Sequence, residues 1–63
     1  MNEQEMRGKW KQLKGKAKEK WGKLTDDELD RINGEKTFLE GKIQEKYGMS
    51  KEEARKEINN FLR

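Results

Sequence analysis

Cysteine, histidine and proline are all absent from this chain of 63 residues. Without cysteine there is no disulfide to staple a small fold and no thiolate to hold a metal, so nothing implies an oxidising compartment. Without histidine the most frequent general acid–base side chain and metal ligand is missing. Besides Tyr47 the only hydroxyl residues are Thr25, Thr37 and Ser50, and Thr25 and Ser50 stand where helix caps belong. No nucleophile and base are left to pair, so an enzyme is not expected and no cofactor is called for. The lack of proline means that no helix is broken from within. Hydrophobic residues make up 29% of the chain, and no stretch approaches the roughly 20 apolar residues of a membrane span. The opening residues, with Glu3 and Glu5 and no apolar run, lack the pattern of a secretory signal. The expected location is the cytoplasm.

What the chain has is charge. Charged residues reach 46%, a balance that leans toward disorder, yet the apolar residues fall at helical spacing and are not scattered. The reading is a folded but thin-cored helical protein of marginal stability, as a chain this short must be. The net charge of +3 is unevenly placed. Positions 1–24 hold eight Lys/Arg against three acids (+5), positions 25–34 one against four (−3), and positions 35–63 seven against six (+1).

Asn2 with Glu5 is a capping pair for a first helix, and Met6, Trp10, Leu13, Ala17, Trp21 and Leu24 follow at spacings that share one face at about 100° per residue. That helix is expected to run from about residue 3 to Gly22. Thr25 with Glu28 forms a capping box for a short second helix burying Leu29 and Ile32, closed by Asn33 and Gly34. A third helix over about 35–47 aligns Leu39, Ile43 and Tyr47 with Phe38 toward one flank, and ends at Gly48. Ser50 with Glu53 caps a fourth, whose stripe is Ala54, Ile58, Phe61 and Leu62.

The second half restates the first. Leu13, Gly15, Lys16, Glu19, Lys20 and Gly22 recur 26 positions later as Leu39, Gly41, Lys42, Glu45, Lys46 and Gly48. After a one-residue slip, Leu24, Thr25, Glu28 and Leu29 are answered by Met49, Ser50, Glu53 and Ala54. The predicted fold is all-α: one domain over residues 1–63, made of two duplicated hairpins (about 3–33 and 35–62) packed across a pseudo-two-fold axis. The bulky side chains Trp10, Trp21, Phe38, Tyr47 and Phe61 are expected to supply much of the buried area. A monomer is expected.

The blocks Trp10-Lys-Gln-Leu-Lys-Gly15, Trp21-Gly-Lys-Leu-Thr-Asp-Asp27 and Gly41-Lys-Ile-Gln-Glu-Lys-Tyr-Gly48 resemble the CsbD-like family of small bacterial general stress proteins. The resemblance covers most of the chain. It implies an all-helical domain made in response to general or osmotic stress, and it implies no reaction, because the family motif contains no catalytic set to carry over.

Two charged stretches remain to be weighed. The acidic run Asp26, Asp27, Glu28 and Asp30 has Arg31 where a calcium loop needs glycine and no glutamate at the bidentate position. Helix-start carboxylates explain it, and no metal is expected. The basic opening helix is the stronger signal. Lys11, Lys14 and Lys18, with Arg7, flank one side of the apolar stripe, and Lys9, Lys16, Lys20 and Lys23 flank the other. These seven lysines are the candidate polyanion contacts. They could cup a phosphate backbone while tryptophans stack on unpaired bases, or lie on an anionic membrane. The plainer reading is that lysine stems cover the rim of a small core with their heads hydrated. A stress-response domain with no reaction is therefore the leading expectation, ahead of a nucleic-acid binder and, third, a peripheral membrane helix. Gly8, Gly15 and Gly22 line up behind the stripe, where each helix-interior glycine costs about 1 kcal/mol against alanine. Either another backbone approaches closely there or the fold is marginal by construction.

Overall fold

In the computed structural model, which describes residues 2–63, the regular structure is all helix. Five helices follow in order: α1 (Glu3–Gly8), α2 (Trp10–Lys20), α3 (Asp26–Ile32), α4 (Lys36–Tyr47) and α5 (Lys51–Phe61). Helix α2 packs on α3 and α4 on α5, α1 lies against α2, and α3 touches α4.

The helix starts follow the local chemistry of the sequence. Asn2 Oδ1 accepts the Glu5 N–H at 2.8 Å. Thr25 Oγ1 accepts from the Glu28 N–H at 3.1 Å while Glu28 Oε1 accepts from the Thr25 N–H at 2.9 Å. Ser50 and Glu53 repeat that reciprocal box. Two expected stops also hold, since Asn33 (φ 49°) with Gly34 (φ 79°) closes α3 and Gly48 (φ 64°) closes α4 in the left-handed conformation.

The expected long first helix is instead two. Lys9 departs from helical geometry (φ −106°, ψ 10°), acting as the end of α1 and the start of α2. Gly8 weakens the helix at this point, and the break lets α1 turn to rest on the α3–α4 link. A methyl group on Gly34 would lie 2.6 Å from Arg7 Cα and 2.9 Å from the Met6 carbonyl oxygen, so only glycine admits this approach. Arg7 then reaches Glu35 at 3.2 Å. The other end differs too. Helix α2 stops at Lys20, Trp21 is its C-cap, and Gly22 is not left-handed.

Met6, Trp10, Ala17, Trp21, Leu24, Leu29, Ile32, Leu39, Ile43, Ala54, Ile58 and Leu62 form one continuous core, with Leu13, Tyr47, Met49 and Phe61 packed at its edge. Phe38 is not part of it: 59% of its surface is exposed, because it falls about 100° off the Leu39–Ile43 stripe. Phe61 meets Trp21 at a ring separation of 5.0 Å. Both tryptophans are core residues, Trp10 donating its indole N–H to the Leu29 carbonyl at 2.8 Å. The Trp21 indole N–H has no hydrogen-bond partner among the described residues.

Candidate functional site

The candidate surface is the basic helix, and its local structure follows from the apolar stripe. With Trp10, Ala17 and Trp21 turned inward, the lysines between them are carried to the two rims of the α2 face. What they meet there depends on α3 and α5.

On the α3 side the acidic segment lies alongside. Lys14 Nζ donates to Asp30 Oδ1, and that hydrogen bond raises the Lys14 pKa above its ordinary value. Lys18 Nζ donates to the Leu24 carbonyl at 2.7 Å and stands 3.9 Å from Asp26. On the other rim Lys20 lies 4.0 Å from Glu57 and 5.7 Å from the centre of the Trp21 ring. Lys23 covers the Tyr47 ring at 5.1 Å, and its backbone N–H donates to the Tyr47 hydroxyl at 3.1 Å.

Lys9, Lys11, Lys16 and Lys23 have no ion pair among the described residues, Lys23 lying over the Tyr47 ring instead. The seven lysines therefore do not form one open basic face. Lys11 belongs to one rim and Lys9 and Lys16 to the other. Beside Lys16 runs an open groove of about 350 Å³, bounded by Lys16, Glu19, Lys20 and Phe61. The partners that tryptophan stacking on bases would require are also spent, since both indoles are inside.

A second charged cluster was not foreseen from the residues. Glu28, the capping glutamate of α3, also meets Lys46 at 3.1 Å and Lys42 at 3.4 Å on α4. The Thr25 backbone hydrogen bond first, and then the Lys46 and Lys42 ammonium groups, hold its carboxyl down at about 2. Glu40 was missed as well. It is 7% exposed and accepts from Arg55 Nε at 3.4 Å. Its one sequence signal was its place in the repeat, where Lys14 precedes it by 26 residues. Among the described residues no three acidic side chains come together as a metal site, and no helix is long and apolar enough to cross a membrane.

Fold and surface define a small all-helical protein whose basic helix is paired in part with its own acidic residues, at Lys14, Lys18 and Lys20. The chain belongs to the CsbD-like family, whose model matches residues 4–56. It is 54% identical over 61 residues to the UPF0337 protein PA4738 of Pseudomonas aeruginosa, covering 97% of this chain and 94% of that protein. It is 57% identical over 58 residues to the UPF0337 protein YjbJ of Escherichia coli K12, covering 92% and 84%. With the UPF0337 protein ECA0631 of Pectobacterium atrosepticum the identity is 56% over 61 residues, covering 97% and 88%. No solved structure gives a significant match. Family membership supports a protein of general stress-response type, and none of these names states a molecular activity.

Proposed function

We propose that this chain is a non-enzymatic general stress-response protein whose working property is the helical domain itself: a charge-laced hydrophilic surface over a core thin enough for folding to depend on conditions. The observation that carries this reading is the internal use of the basic helix. Lys14 and Lys18 sit on the chain's own Asp30 and Asp26, Lys20 near Glu57, and both tryptophans in the core. A polyanion would have to displace those carboxylates, and could not reach the indoles without unfolding the core.

The finer architecture belongs to the same reading: residues 3–33 and 35–62 as two duplicated hairpins of one domain, related by a pseudo-two-fold axis. The cross-contacts speak for it. Lys42 and Lys46 on α4 reach Glu28 on α3, and Lys20 on α2 approaches Glu57 on α5. In both cases the first helix of one pair, α2 or α4, approaches the second helix of the other, α5 or α3. The protein is read as a cytoplasmic monomer.

Nucleic-acid binding is the second reading, favoured by the unpaired Lys9, Lys11 and Lys16. A peripheral membrane role has less support, because the apolar stripe that would enter the lipid is consumed by the core. Titration with single-stranded DNA, RNA and anionic vesicles across a salt series separates the three. The expected result is binding no tighter than about 10⁻⁴ to 10⁻⁶ M near physiological salt, with tryptophan emission unchanged. A submicromolar constant that falls steeply with salt would make the basic helix the working surface.

A further inference from the structure

The repeat contains an ion pair whose sign is reversed between the copies. Lys14 on α2 is answered 26 positions later by Glu40 on α4. After the one-residue slip, Asp30 on α3 is answered 25 positions later by Arg55 on α5. Both couples are in contact, Lys14 with Asp30 and Glu40 with Arg55. The cation is on α2 in the first unit, and the anion is on the corresponding α4 in the second. Some neighbouring repeat positions keep their character: Leu29 and Ala54 are both fully buried, and α3 and α5 open with the same capping box.

We infer that this reversal keeps α2 on α3 and α4 on α5 by making the exchanged pairings repulsive. A duplicated chain has a ready competitor for its native fold. Only residues 33–35 separate α3 from α4, so these two neighbours can pair as the principal hairpin and leave α2 for α5, within one chain or between two copies. Around this ion pair the apolar positions match between the units (Leu13 with Leu39, Ala17 with Ile43, Leu29 with Ala54) and do not forbid it, whereas farther along Trp10 is answered by Lys36 and Ile32 by Glu57. In the native packing register the exchange sets Lys14 against Arg55 and Asp30 against Glu40, like charges in both places. The error is dearer at Glu40, which is nearly buried and would lose its cation. Had both units kept the same order of charge, each exchanged pairing would attract as well as the native one, and nothing at this position would select between them.

The test restores equal order without removing any native pair. In K14E/D30R the first unit takes the order of the second, and E40K/R55D does the converse. The quadruple variant reverses both units and so recovers the opposition. Full-length proteins are refolded from denaturant at high concentration and read by light scattering after gel filtration and by amide resonances. Wild type and quadruple variant are expected as one species. In each double variant the ratio of exchanged to native species is expected to rise about tenfold across the two altered contacts. Double variants as uniform as the wild type overturn the inference, and so does a quadruple variant that behaves like the doubles. If both doubles fail to fold, a folded quadruple variant supports it and an unfolded one refutes it.

Discussion

At the scale of single residues, two glycines that look alike in sequence are opposites in space. Gly34 is buried at φ 79°, with the Arg7 backbone in the place of its missing side chain. Gly15 lies inside α2, exposed, with nothing within 4 Å of where a Cβ would stand. Gly34→Ala is therefore expected to destabilise by more than about 1 kcal/mol, through backbone strain and displacement of α1. Gly15→Ala is expected to stabilise by about 1 kcal/mol, since alanine is the better helix former and meets no obstacle. Urea denaturation of the two variants checks both signs. A destabilising Gly15→Ala would mean that the open face of α2 is held by something other than solvent. The open surroundings also answer the alignment of Gly8, Gly15 and Gly22. Among the described residues no atom lies within 4 Å of a Cβ at Gly8 or Gly15 and only the Lys18 carbonyl oxygen, at 4.0 Å, approaches one at Gly22, while Gly8 ends α1 and Gly22 lies beyond α2. Only Gly15 of the three bears the full cost of a helix interior.

The element that ties the halves together is the start of α3. Glu28 closes the capping box with Thr25 and binds two lysines of α4. Its carboxyl titrates in the folded protein at about 2, below the ordinary 4.5. A depressed carboxyl pKa contributes stability that is fully present above 4.5 and is lost as pH falls toward 2. Glu28→Gln keeps a side-chain oxygen for the Thr25 N–H but removes the charge. The Tm of the wild type is expected to fall more steeply between pH 5 and pH 2 than that of Glu28→Gln, with the two curves converging at the acid end (roughly the span between the two pKa values). Parallel curves would place the acid sensitivity of the fold elsewhere.

Taken as a whole molecule, one buried cluster draws on residues from Met6 to Leu62. Leu39 and Ile43 from the second unit are fully buried with Leu29 and Leu24 from the first, and Phe61 near the end of the chain packs on Trp21. A fragment ending at Gly34 loses these partners. Short helices are marginal in water when nothing covers their apolar face, so that fragment is expected to lose most of its helicity in dilute buffer, measured per residue by circular dichroism. Helicity equal to that of the full chain would refute the shared core. The proposed conditional folding would follow from the same dependence: with a single thin core, any change in solvent or temperature that weakens apolar burial is expected to act on all five helices together.

The sequence by itself determined the helix class, the stripe from Met6 to Leu24 that becomes core, the boxes at Thr25 and Ser50, and the left-handed stops at Asn33–Gly34 and Gly48. These are decided by interactions among residues no more than about four apart along the backbone, so a one-dimensional pattern records them. The candidate site was legible only as an inventory. The seven lysines could be placed on two rims, but which of them keep free charge was decided by where α3 and α5 came to rest. Asp30 claimed Lys14, Asp26 and Glu57 stand near Lys18 and Lys20, Lys23 covers Tyr47, and Lys9, Lys11 and Lys16 have no ion pair among the described residues. Phe38 is exposed because it falls off the Leu39–Ile43 stripe, but the turn of α1 onto the α3–α4 link and the burial of Glu40 have the same origin as the pairing of the lysines. Each depends on which face of a helix meets a neighbour more than a dozen residues away in the chain, and helical periodicity describes each helix without saying where its neighbours lie.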